Sequence, residues 1–537
     1  MGRERPRQTN TPPIATRADA GLDVAGRPVY MIGIGGCGMA GLARMIAARG
    51  ARVQGSDKEA SSTTDALIAE GIPVGFDQSR EWLPDDCSLV VASAAIKPDH
   101  PQVRAAAARG LTVLTYAQAL GRSMAGRTGV ALAGTHGKST TTAMLGAALV
   151  DAGLDPTVIV GATCGQLTHG SLSPATTEPV GFRLGSDTVP CGSRANAPGL
   201  LVAEACEFNR SFHNFHPAVA SISSVEADHL DIYGSLDAVV EAFHQFARQV
   251  APEGTLLIAH QGAHRKEVTA GLDCAVQTIG LDPEADWIVA FDPAAREVRL
   301  SRHGEHMASW TMRLPGTHNA VNAATAAALA IILGADPPTI AASLGAFRGV
   351  DRRCQFLGER IVEGDGTHGP VRVYDDYGHH PTEVEATLRA LRQHERPEVR
   401  GGRLICVFQP HQHSRTRHLL EEFAAAFASA DIVIVPHIYF VRDSESEKQT
   451  VSAADLVDRL RDRGVRAMHL YPFDAIIEQL DSVCRPGDLL VVMGAGPVWQ
   501  VAHGFMRSGC AAPPRIAGVI EPIVSEVMLG SPAGAAR

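Results

Sequence analysis

Long apolar runs are absent from this sequence of 537 residues. None approaches the roughly 18 to 20 residues that cross a bilayer, so we expect no membrane-spanning helix. The first 27 residues carry several arginines but lack the apolar centre of a secretory signal, so export is not indicated. An excess of basic residues is missing too. The 48 Lys and Arg stand against 58 Asp and Glu, and the net charge of −10 argues against broad binding to a nucleic-acid backbone.

Paired cysteines are also missing. The ten cysteines are scattered singly, without a Cys-x-x-Cys pair or a zinc-type Cys/His spacing. This distribution indicates reduced thiols and a cytoplasmic protein. With 45% apolar and 20% charged residues, the chain has the composition of a folded globular protein. Its length indicates roughly three or four domains.

Short β-branched runs alternate with Ala- and Leu-rich helical stretches, which is the pattern of an α/β protein with parallel sheets. Residues 165–199 are dense in turn formers without a sustained period, and we interpret them as a surface insertion. The runs predict strands at 29–32, 53–55, 89–92, 112–114, 404–408, 432–436 and 489–493. The predicted division is a disordered leader over 1–27, a Rossmann-like unit over 28–125, a central phosphate-loop unit over 126–347, a C-terminal Rossmann-like unit over 348–510 and a tail over 511–537.

A first glycine loop, Gly33-Ile-Gly35-Gly36-Cys-Gly38, follows the first predicted strand and opens a helix. Asp57 ends the next strand. Glycines let a diphosphate approach the amide groups of a helix N-terminus, so this context fits a dinucleotide fold. The motif by itself does not distinguish NAD, FAD, a UDP-sugar or a tight turn that binds nothing.

A second loop, Gly134-Thr-His-Gly137-Lys138-Ser139, lies between a strand and a helix. In such a loop amide groups surround the phosphates, the lysine neutralises their oxygens, and the serine is a Mg²⁺ ligand. Leu132 stands where the standard spacing requires a glycine, so the loop is a shortened variant. We interpret His136 as a packing or orienting group.

Acidic residues follow two later apolar runs. Glu204 ends the run 199–203, where a carboxylate can hold a metal or position a water. Residues 225–231 combine three carboxylates with His229. Alone, such a cluster is as often a solvated acidic turn. Beside a triphosphate loop, it predicts a metal role with His229 as a ligand.

Together with these residues, seven ordered motifs resemble the Mur ligases of peptidoglycan synthesis, from about residue 29 to about residue 496. The resemblance implies three domains, which hold a UDP-sugar, ATP and an incoming amino acid in turn. The motifs are GIGGCGMAGLA (33–43), AGTHGKSTTTAML (133–145), VEADHLDIY (225–233), PGTHNAVNAATAAA (315–328), DDYGHHPTEV (375–384), FQPHQHSRTR (408–417) and MGAG (493–496).

The resemblance implies the branch of the family that adds L-alanine to UDP-N-acetylmuramate through an acyl phosphate, with ATP and Mg²⁺, as a monomer or homodimer. It implies catalytic roles for Lys138, Glu204, His229, Arg353 and Asp376, and metal ligation by Ser139, Glu204 and His229. The implied ATP contacts are Gly134, Thr135, His136, Gly137, Lys138, Ser139, Thr140, Asn319, Asn322 and Arg353. The implied UDP contacts are Gly33, Gly35, Gly36, Gly38, Met39 and Asp57, and the implied amino-acid contacts are His379, His380 and Arg415.

Three departures from the family pattern are visible. Cys206 replaces an acidic residue in an E-A-D-E motif, Ser224 replaces an asparagine, and Gln412 stands where some relatives carry arginine. Residues 230–265 contain no lysine, which agrees with the alanine-adding branch because other Mur ligases use a modified lysine there. The alternatives are a murein-peptide recycling ligase, a nicotinamide-dependent oxidoreductase and an inactive nucleotide-binding regulator.

Overall fold

Three β-sheets follow one another along the chain in the computed structural model, which describes residues 21–174, 179–364, 366–441 and 443–508. Most strands are parallel and connected by helices, as the alternating pattern predicts. Every helix in these ranges is too short or too polar to cross a membrane.

The first sheet is entirely parallel, in the order β3-β2-β1-β4-β5. The strand order reverses at β1, so the first glycine loop lies at the position where open α/β sheets bind ligands. The predicted strands of this unit are confirmed. The elements are β1 (Pro28–Ile32), α1 (Cys37–Ala48), β2 (Arg52–Ser56), α2 (Ser62–Ala69), β3 (Val74–Gly75), β4 (Leu89–Ala92), α3 (Pro101–Ala108), β5 (Thr112–Thr115) and α4 (Tyr116–Ser123).

The end of the predicted leader packs on this unit. Val24 is buried in the cluster of apolar side chains beneath the sheet, and the Gly26 N–H donates to the Gly50 carbonyl. The prediction of a disordered leader is therefore wrong for residues 21–27, because Val24 has a place in the core. Residues 1–20 of the predicted leader lie outside the described residues, as do residues 511–537 of the predicted tail.

The second sheet has ten strands in the order β15-β14-β13-β12-β11-β10-β6-β9-β7-β8. Its centre is parallel, and both edges are antiparallel. The elements are β6 (Thr128–Ala133), α5 (Lys138–Asp151), β7 (Thr157–Cys164), β8 (Val180–Arg183), β9 (Leu200–Glu204), a 3₁₀ helix (Phe208–Asn214), β10 (Val219–Ile222), α6 (Leu230–Tyr233), α7 (Leu236–Ala247), β11 (Thr255–Ala259), α8 (Arg265–Thr269), β12 (Ala275–Gly280), β13 (Trp287–Asp292), β14 (Glu297–Arg302), β15 (Glu305–Thr311), α9 (Thr317–Ile332) and α10 (Pro337–Ala346).

The predicted surface insertion contains part of this sheet. Strand β8 pairs with β7 and packs against helix α1 of the first unit, where a Cβ added at Gly41 would meet the Phe182 side chain at 3.1 Å. Val189 is buried in the second core. Residues 165–174 and 179–199 are thus partly internal, which corrects the interpretation as a surface segment. The sequence does not predict strand β8, because the strand is short and borders many turn-forming residues.

The third sheet has six strands in the order β16-β17-β21-β18-β19-β20, and its predicted strands are also confirmed. β16 and β17 form an antiparallel hairpin, and the remaining pairs are parallel. The elements are β16 (Gln355–Gly364), β17 (Thr367–Asp376), α11 (Pro381–Glu395), a 3₁₀ helix (Pro397–Arg400), β18 (Leu404–Phe408), α12 (His413–His418), α13 (Leu420–Ala426), β19 (Ile432–Val435), a 3₁₀ helix (Glu447–Gln449), α14 (Ala453–Asp462), β20 (Arg466–His469), α15 (Phe473–Val483), β21 (Leu489–Met493) and α16 (Trp499–Ser508).

The three sheets correspond to the three predicted units, whose limits within the chain stay a prediction. Because the carboxyl ends of parallel strands meet at one edge, the residues after β6, β9 and β10 lie together. Residues after β17 and β18 of the third sheet contact this same edge, and Arg415 bonds to Asp228 there. The sequence-predicted residues of the second and third units therefore surround one interdomain cleft.

Candidate functional site

The phosphate loop follows β6 and ends at the first turn of α5. Gly134 has φ +130°, and a Cβ there would lie 2.0 Å from Ser223 Oγ. Gly137 has φ +81°, and a Cβ there would lie 2.5 Å from Asn322 Oδ1. Both positions therefore require glycine for conformation and for space. The amide groups at the start of α5 are favourable for an anion, as the sequence predicts.

Lys138 lies within this loop and forms a buried ion pair. Its Nζ donates to the Thr135 carbonyl at 3.1 Å and lies 2.9 Å from Glu207 Oε2. Glu207 is 4% exposed. Burial alone would lower the pKa of Lys138, but the Glu207 carboxylate outweighs it and raises this pKa. Lys138 thus stays charged at the position that the sequence predicts for a phosphate contact.

Glu204 and Ser139 lie side by side beneath the loop. β9 pairs with β6 so that Glu204 is level with Leu132, and the Ser139 hydroxyl interacts with the Glu204 carboxylate. Burial raises the pKa of Glu204. Its Oε1 is buried and has no hydrogen-bond partner among the described residues. A buried carboxylate oxygen beside a hydroxyl suits a hard cation such as Mg²⁺.

Arg353 reaches this pair from the start of the third unit. Its Nη2 lies 3.4 Å from Ser139 Oγ, and its guanidinium stacks on the Tyr377 ring at 4.7 Å from the centroid. The structure thus brings four of the six predicted catalytic or metal-binding residues together at the loop, namely Lys138, Ser139, Glu204 and Arg353.

His229 follows Asp228 on the far side of Glu207. Its Nε2 lies 3.7 Å from Glu207 Oε1 and 3.7 Å from Asp228 Oδ2. Burial lowers the pKa of His229, which favours the neutral imidazole that can bind a metal. Ligand atoms of these three residues lie within 4.8 Å of one another.

Asp228 is bound to Arg415 of the third unit. Nε and Nη2 of Arg415 donate to Asp228 Oδ1 at 3.1 and 2.6 Å, and both side chains are under 10% exposed. Burial would raise the pKa of Asp228, but the Arg415 guanidinium and the neighbouring histidines together outweigh it and hold this pKa far below its usual range. Arg415, predicted as an amino-acid contact, therefore forms an interdomain ion pair in this structure.

His136 lies between two carboxylates. Its Nδ1 is 3.1 Å from Glu383 Oε1 of the third unit, and its Nε2 is 3.3 Å from Glu226 Oε2. Burial alone would lower the pKa of His136, but the two carboxylates outweigh it and raise this pKa to about 9. The predicted orienting group is thus a charged bridge between the phosphate loop and helix α11.

Asp376 ends β17 and is 6% exposed. Its Oδ2 accepts the Cys354 N–H and its Oδ1 accepts the Gly378 N–H, both at 2.6 Å. Burial raises the pKa of Asp376 to about 6, against the opposing charge of Arg353. In this structure Asp376 holds the backbone just after Arg353 and the turn that follows strand β17.

Asn319 and Asn322 lie in the first turns of α9. Asn319 Nδ2 donates to the Pro315 carbonyl at 2.8 Å, and Asn322 faces Gly137 of the phosphate loop. Neither side chain caps the helix, which excludes simple capping as an explanation for the pair.

Of the predicted amino-acid contacts, His379 and His380 precede α11. His380 is the N-cap of that helix, and its Nδ1 accepts the Thr382 N–H at 3.3 Å. The His379 ring contacts the rings of Tyr377 and His411. Gln412 is buried, and its carbonyl accepts the Thr416 N–H in helix α12.

The first glycine loop lies against the second unit. The Gly35 N–H donates to Asp57 Oδ2 at 2.7 Å, and a Cβ at Gly38 would lie 2.7 Å from the Tyr116 hydroxyl. The Met39 side chain is buried in the first core, which leaves its backbone amide for a ligand. Cys37 Sγ lies 3.5 Å from the Val160 carbonyl of β7, so this loop adjoins the strand next to Glu204.

The sequence analysis did not predict the partners of three carboxylates of the site. Glu207 pairs with Lys138, and Glu226 and Glu383 enclose His136. Glu207 and Glu226 stand within quoted motifs, so their positions gave a signal, but nothing local indicates their partners. Glu383 forms a capping box with His380, the N-cap residue three positions earlier, and this spacing is its signal in the sequence.

Family models match most of the chain. Residues 28–128 match the catalytic domain of the Mur ligase family, residues 132–330 the Mur ligase middle domain, and residues 352–496 the Mur ligase glutamate ligase domain. The UDP-N-acetylmuramate–L-alanine ligase of Agathobacter rectalis is 35% identical over 484 residues, which is 89% of this chain and 97% of that protein. The chain belongs to the Mur ligase family. The enzyme of the same name from Kineococcus radiotolerans is 38% identical over 479 residues, which is 88% of this Mur ligase and 94% of that protein.

Solved structures share the three-domain Mur ligase fold. The UDP-N-acetylmuramate–alanine ligase of Thermotoga maritima has a TM-score of 0.69 at 24% identity and covers 90% of this chain and 98% of its own. A murein peptide ligase from Psychrobacter arcticus has a TM-score of 0.66 at 23% identity and covers 91% of this chain and 100% of its own. These likenesses concern the fold. Family membership excludes the nicotinamide-dependent oxidoreductase.

Proposed function

We propose that this Mur ligase joins L-alanine to the carboxylate of UDP-N-acetylmuramate, with cleavage of ATP to ADP and phosphate. The observation that carries the proposal is the cleft in which Lys138, Arg353 and Glu204 surround the phosphate loop. The names of the Agathobacter and Kineococcus relatives support L-alanine and UDP-N-acetylmuramate as the substrates. A cytoplasmic location and a monomeric or homodimeric state stay predictions.

The chemistry requires positive charge at one place. A carboxylate is a poor acyl donor because oxide would have to leave, so the sugar carboxylate first takes the γ-phosphoryl group of ATP. The alanine amine then displaces phosphate from the acyl phosphate. A carboxylate and a triphosphate are both anions and repel each other when they approach. Preorganised cations reduce the free energy that this approach costs.

Residues of the second unit, together with Arg353 of the third, supply the ATP site in this proposal. The amides of the 134–140 loop and Lys138 hold the phosphates, and Asn319, Asn322 and Arg353 border the nucleotide. Glu207 keeps Lys138 charged and directed into the loop, because its carboxylate lies 2.9 Å from Nζ. A buried ammonium without this partner would tend to lose its proton.

Mg²⁺ fits the residues beside the loop. Ser139 and Glu204 would hold one ion, and the buried Glu204 Oε1 without a partner among the described residues supports this. His229, with Glu207 and Asp228 beside it, would hold a second. When bound, the ions would neutralise charge on the phosphoryl oxygens.

The other two substrates are assigned to the flanking units. The first glycine loop, with Gly33, Gly35, Gly36, Gly38, the Met39 amide and Asp57, would hold the UDP group. His379, His380 and Arg415 would border the amino acid. Because Arg415 is bound to Asp228 here, it would have to exchange that partner, wholly or partly, for the substrate carboxylate.

ADP release measured with each substrate omitted in turn tests the proposal. ADP should form when ATP, UDP-N-acetylmuramate and L-alanine are all present. Equal release without the sugar nucleotide or without the amino acid would contradict a ligase. The fold likeness to a murein peptide ligase makes a preformed peptide the matched alternative substrate, and faster turnover with that peptide than with L-alanine would favour the recycling ligase.

A further inference from the structure

A second group of possible metal ligands lies apart from Glu204 and His229, where the phosphate loop meets the third unit. It consists of His136, Glu226 and His380, whose ligand atoms lie within 4.8 Å of one another. Two of these residues belong to the second unit and one to the third. Of the three, His380 is proposed to border the amino acid, but that role does not explain why all three side chains converge on one point.

The distances between ligand atoms suit a small transition-metal ion. His136 Nε2 is 3.3 Å from Glu226 Oε2, and His380 Nδ1 is 3.9 Å from the same oxygen. Nitrogen and oxygen ligands about 2.0 to 2.1 Å from tetrahedral Zn²⁺ are separated by roughly 3.4 Å. Small rotations of these side chains would therefore place all three around one ion.

The surroundings of His136 match those of metal-bound histidines. Its second ring nitrogen, Nδ1, is 3.1 Å from the Glu383 carboxylate. A carboxylate on the far nitrogen fixes the tautomer and raises the basicity of the nitrogen that faces the metal. The Thr382 hydroxyl holds Glu226 in turn by donating to Oε2 at 2.8 Å.

The charges and burial of the cluster also favour a cation. His380 is 6% exposed. Its Nδ1 accepts only the long 3.3 Å hydrogen bond from Thr382 N–H, so the neutral ring carries its proton on Nε2, and a metal ion on Nδ1 would replace that bond. Two carboxylates, Glu226 and Glu383, share this buried space with a single charged imidazole. Replacing that proton by a divalent ion would neutralise the cluster.

We propose that His136, Glu226 and His380 form a Zn²⁺ site that fastens the third unit to the phosphate loop. The ion would bind both units at once, so it would hold the cleft closed. If the proposed ligase reaction holds, Zn²⁺ at this site inhibits it, because the ion would bind His380, which is proposed to border the amino acid. That last step rests on the proposed function, whereas the metal site does not.

Binding of Zn²⁺ alone to the full chain tests the site, by competition with a chromogenic chelator. The variants Glu226→Gln and His380→Gln should each weaken the tightest Zn²⁺ binding at least tenfold. His229→Gln should leave that binding unchanged, because His229 belongs to the other group of ligands. The double variant His437→Gln/His469→Gln is the matched surface control, because both residues are exposed and a nitrogen of one ring lies 3.0 Å from a nitrogen of the other.

Two further measurements make the result specific. Co²⁺ in place of Zn²⁺ should give the visible spectrum of nitrogen and oxygen ligands in the wild type, and His380→Gln should abolish it. Hydrogen exchange of the backbone amides in 377–383 should slow on adding Zn²⁺ in the wild type and not in Glu226→Gln. Unchanged Zn²⁺ affinity in folded Glu226→Gln and His380→Gln, or loss of binding in His229→Gln instead, would overturn the proposal. None of these measurements requires turnover. A negative result would therefore contradict the metal site without contradicting the proposed ligase reaction.

Discussion

Deprotonation of His136 should weaken the contact between the phosphate loop and helix α11. Glu226 and Glu383 raise the pKa of this imidazole from 6.5 to about 9. At about 1.4 kcal/mol per pKa unit, this rise in pKa corresponds to roughly 3 kcal/mol of the free energy of unfolding when His136 is protonated. Because the folded pKa is the higher one, this stabilisation is complete below pH 6.5 and is lost as the pH rises through about 9.

Histidine-selective ¹³C NMR measures this titration directly, with a chelator present to remove metals. The Cε1 resonance that is absent from His136→Gln identifies the residue, and its midpoint should lie near pH 9 in the wild type. Glu383→Gln should lower that midpoint by at least one unit, because one of the two carboxylates is gone. A wild-type midpoint below pH 6.5 would refute the reasoning, because the two carboxylates would then raise the pKa of His136 by less than burial lowers it.

Three further predictions concern the same cleft. Lys138→Ala should lower ADP release at least 100-fold, because the positive charge that would stabilise the transferring phosphoryl group is lost. A fall of less than tenfold would count against a catalytic role for Lys138. Arg415→Met should destabilise the protein to urea by about 3 to 5 kcal/mol, because Asp228 stays buried without its partner, and adding Asp228→Asn should restore part of this loss. Gly137→Ala should weaken binding of a non-hydrolysable ATP analogue measured by calorimetry, whereas Gly110→Ala, also at positive φ but in open space, should not.

Local patterns in the sequence were sufficient for the parallel strands and for both glycine loops. Each β-branched run that predicts a strand in the first and third sheets has one at that place, because fully buried parallel strands need apolar residues on both faces. Gly134 and Gly137 have the positive φ angles that a phosphate loop demands. These features depend on neighbours within a few residues.

The contacts between units could not be predicted in the same way. His136 and Glu383 are 247 residues apart, and Asp228 and Arg415 are 187 residues apart. No periodicity connects such positions, and a charged residue in a loop has many possible partners. For this reason Arg415 was assigned to the substrate, and the ion pair that it forms with Asp228 was not foreseen.

Strand β8 was not predicted from the sequence either, because four residues without alternation of apolar and polar side chains carry little information. Its position has a practical meaning for protein engineering. The Phe182 ring fills the space that a side chain at position 41 would need, so the two positions constrain each other across the boundary between units. Chimeras that exchange the N-terminal unit between related enzymes should therefore transfer residues 180–183 together with helix α1, because a recombinant fragment ending near residue 125 would leave the face of α1 at Gly41 without the strand that covers it.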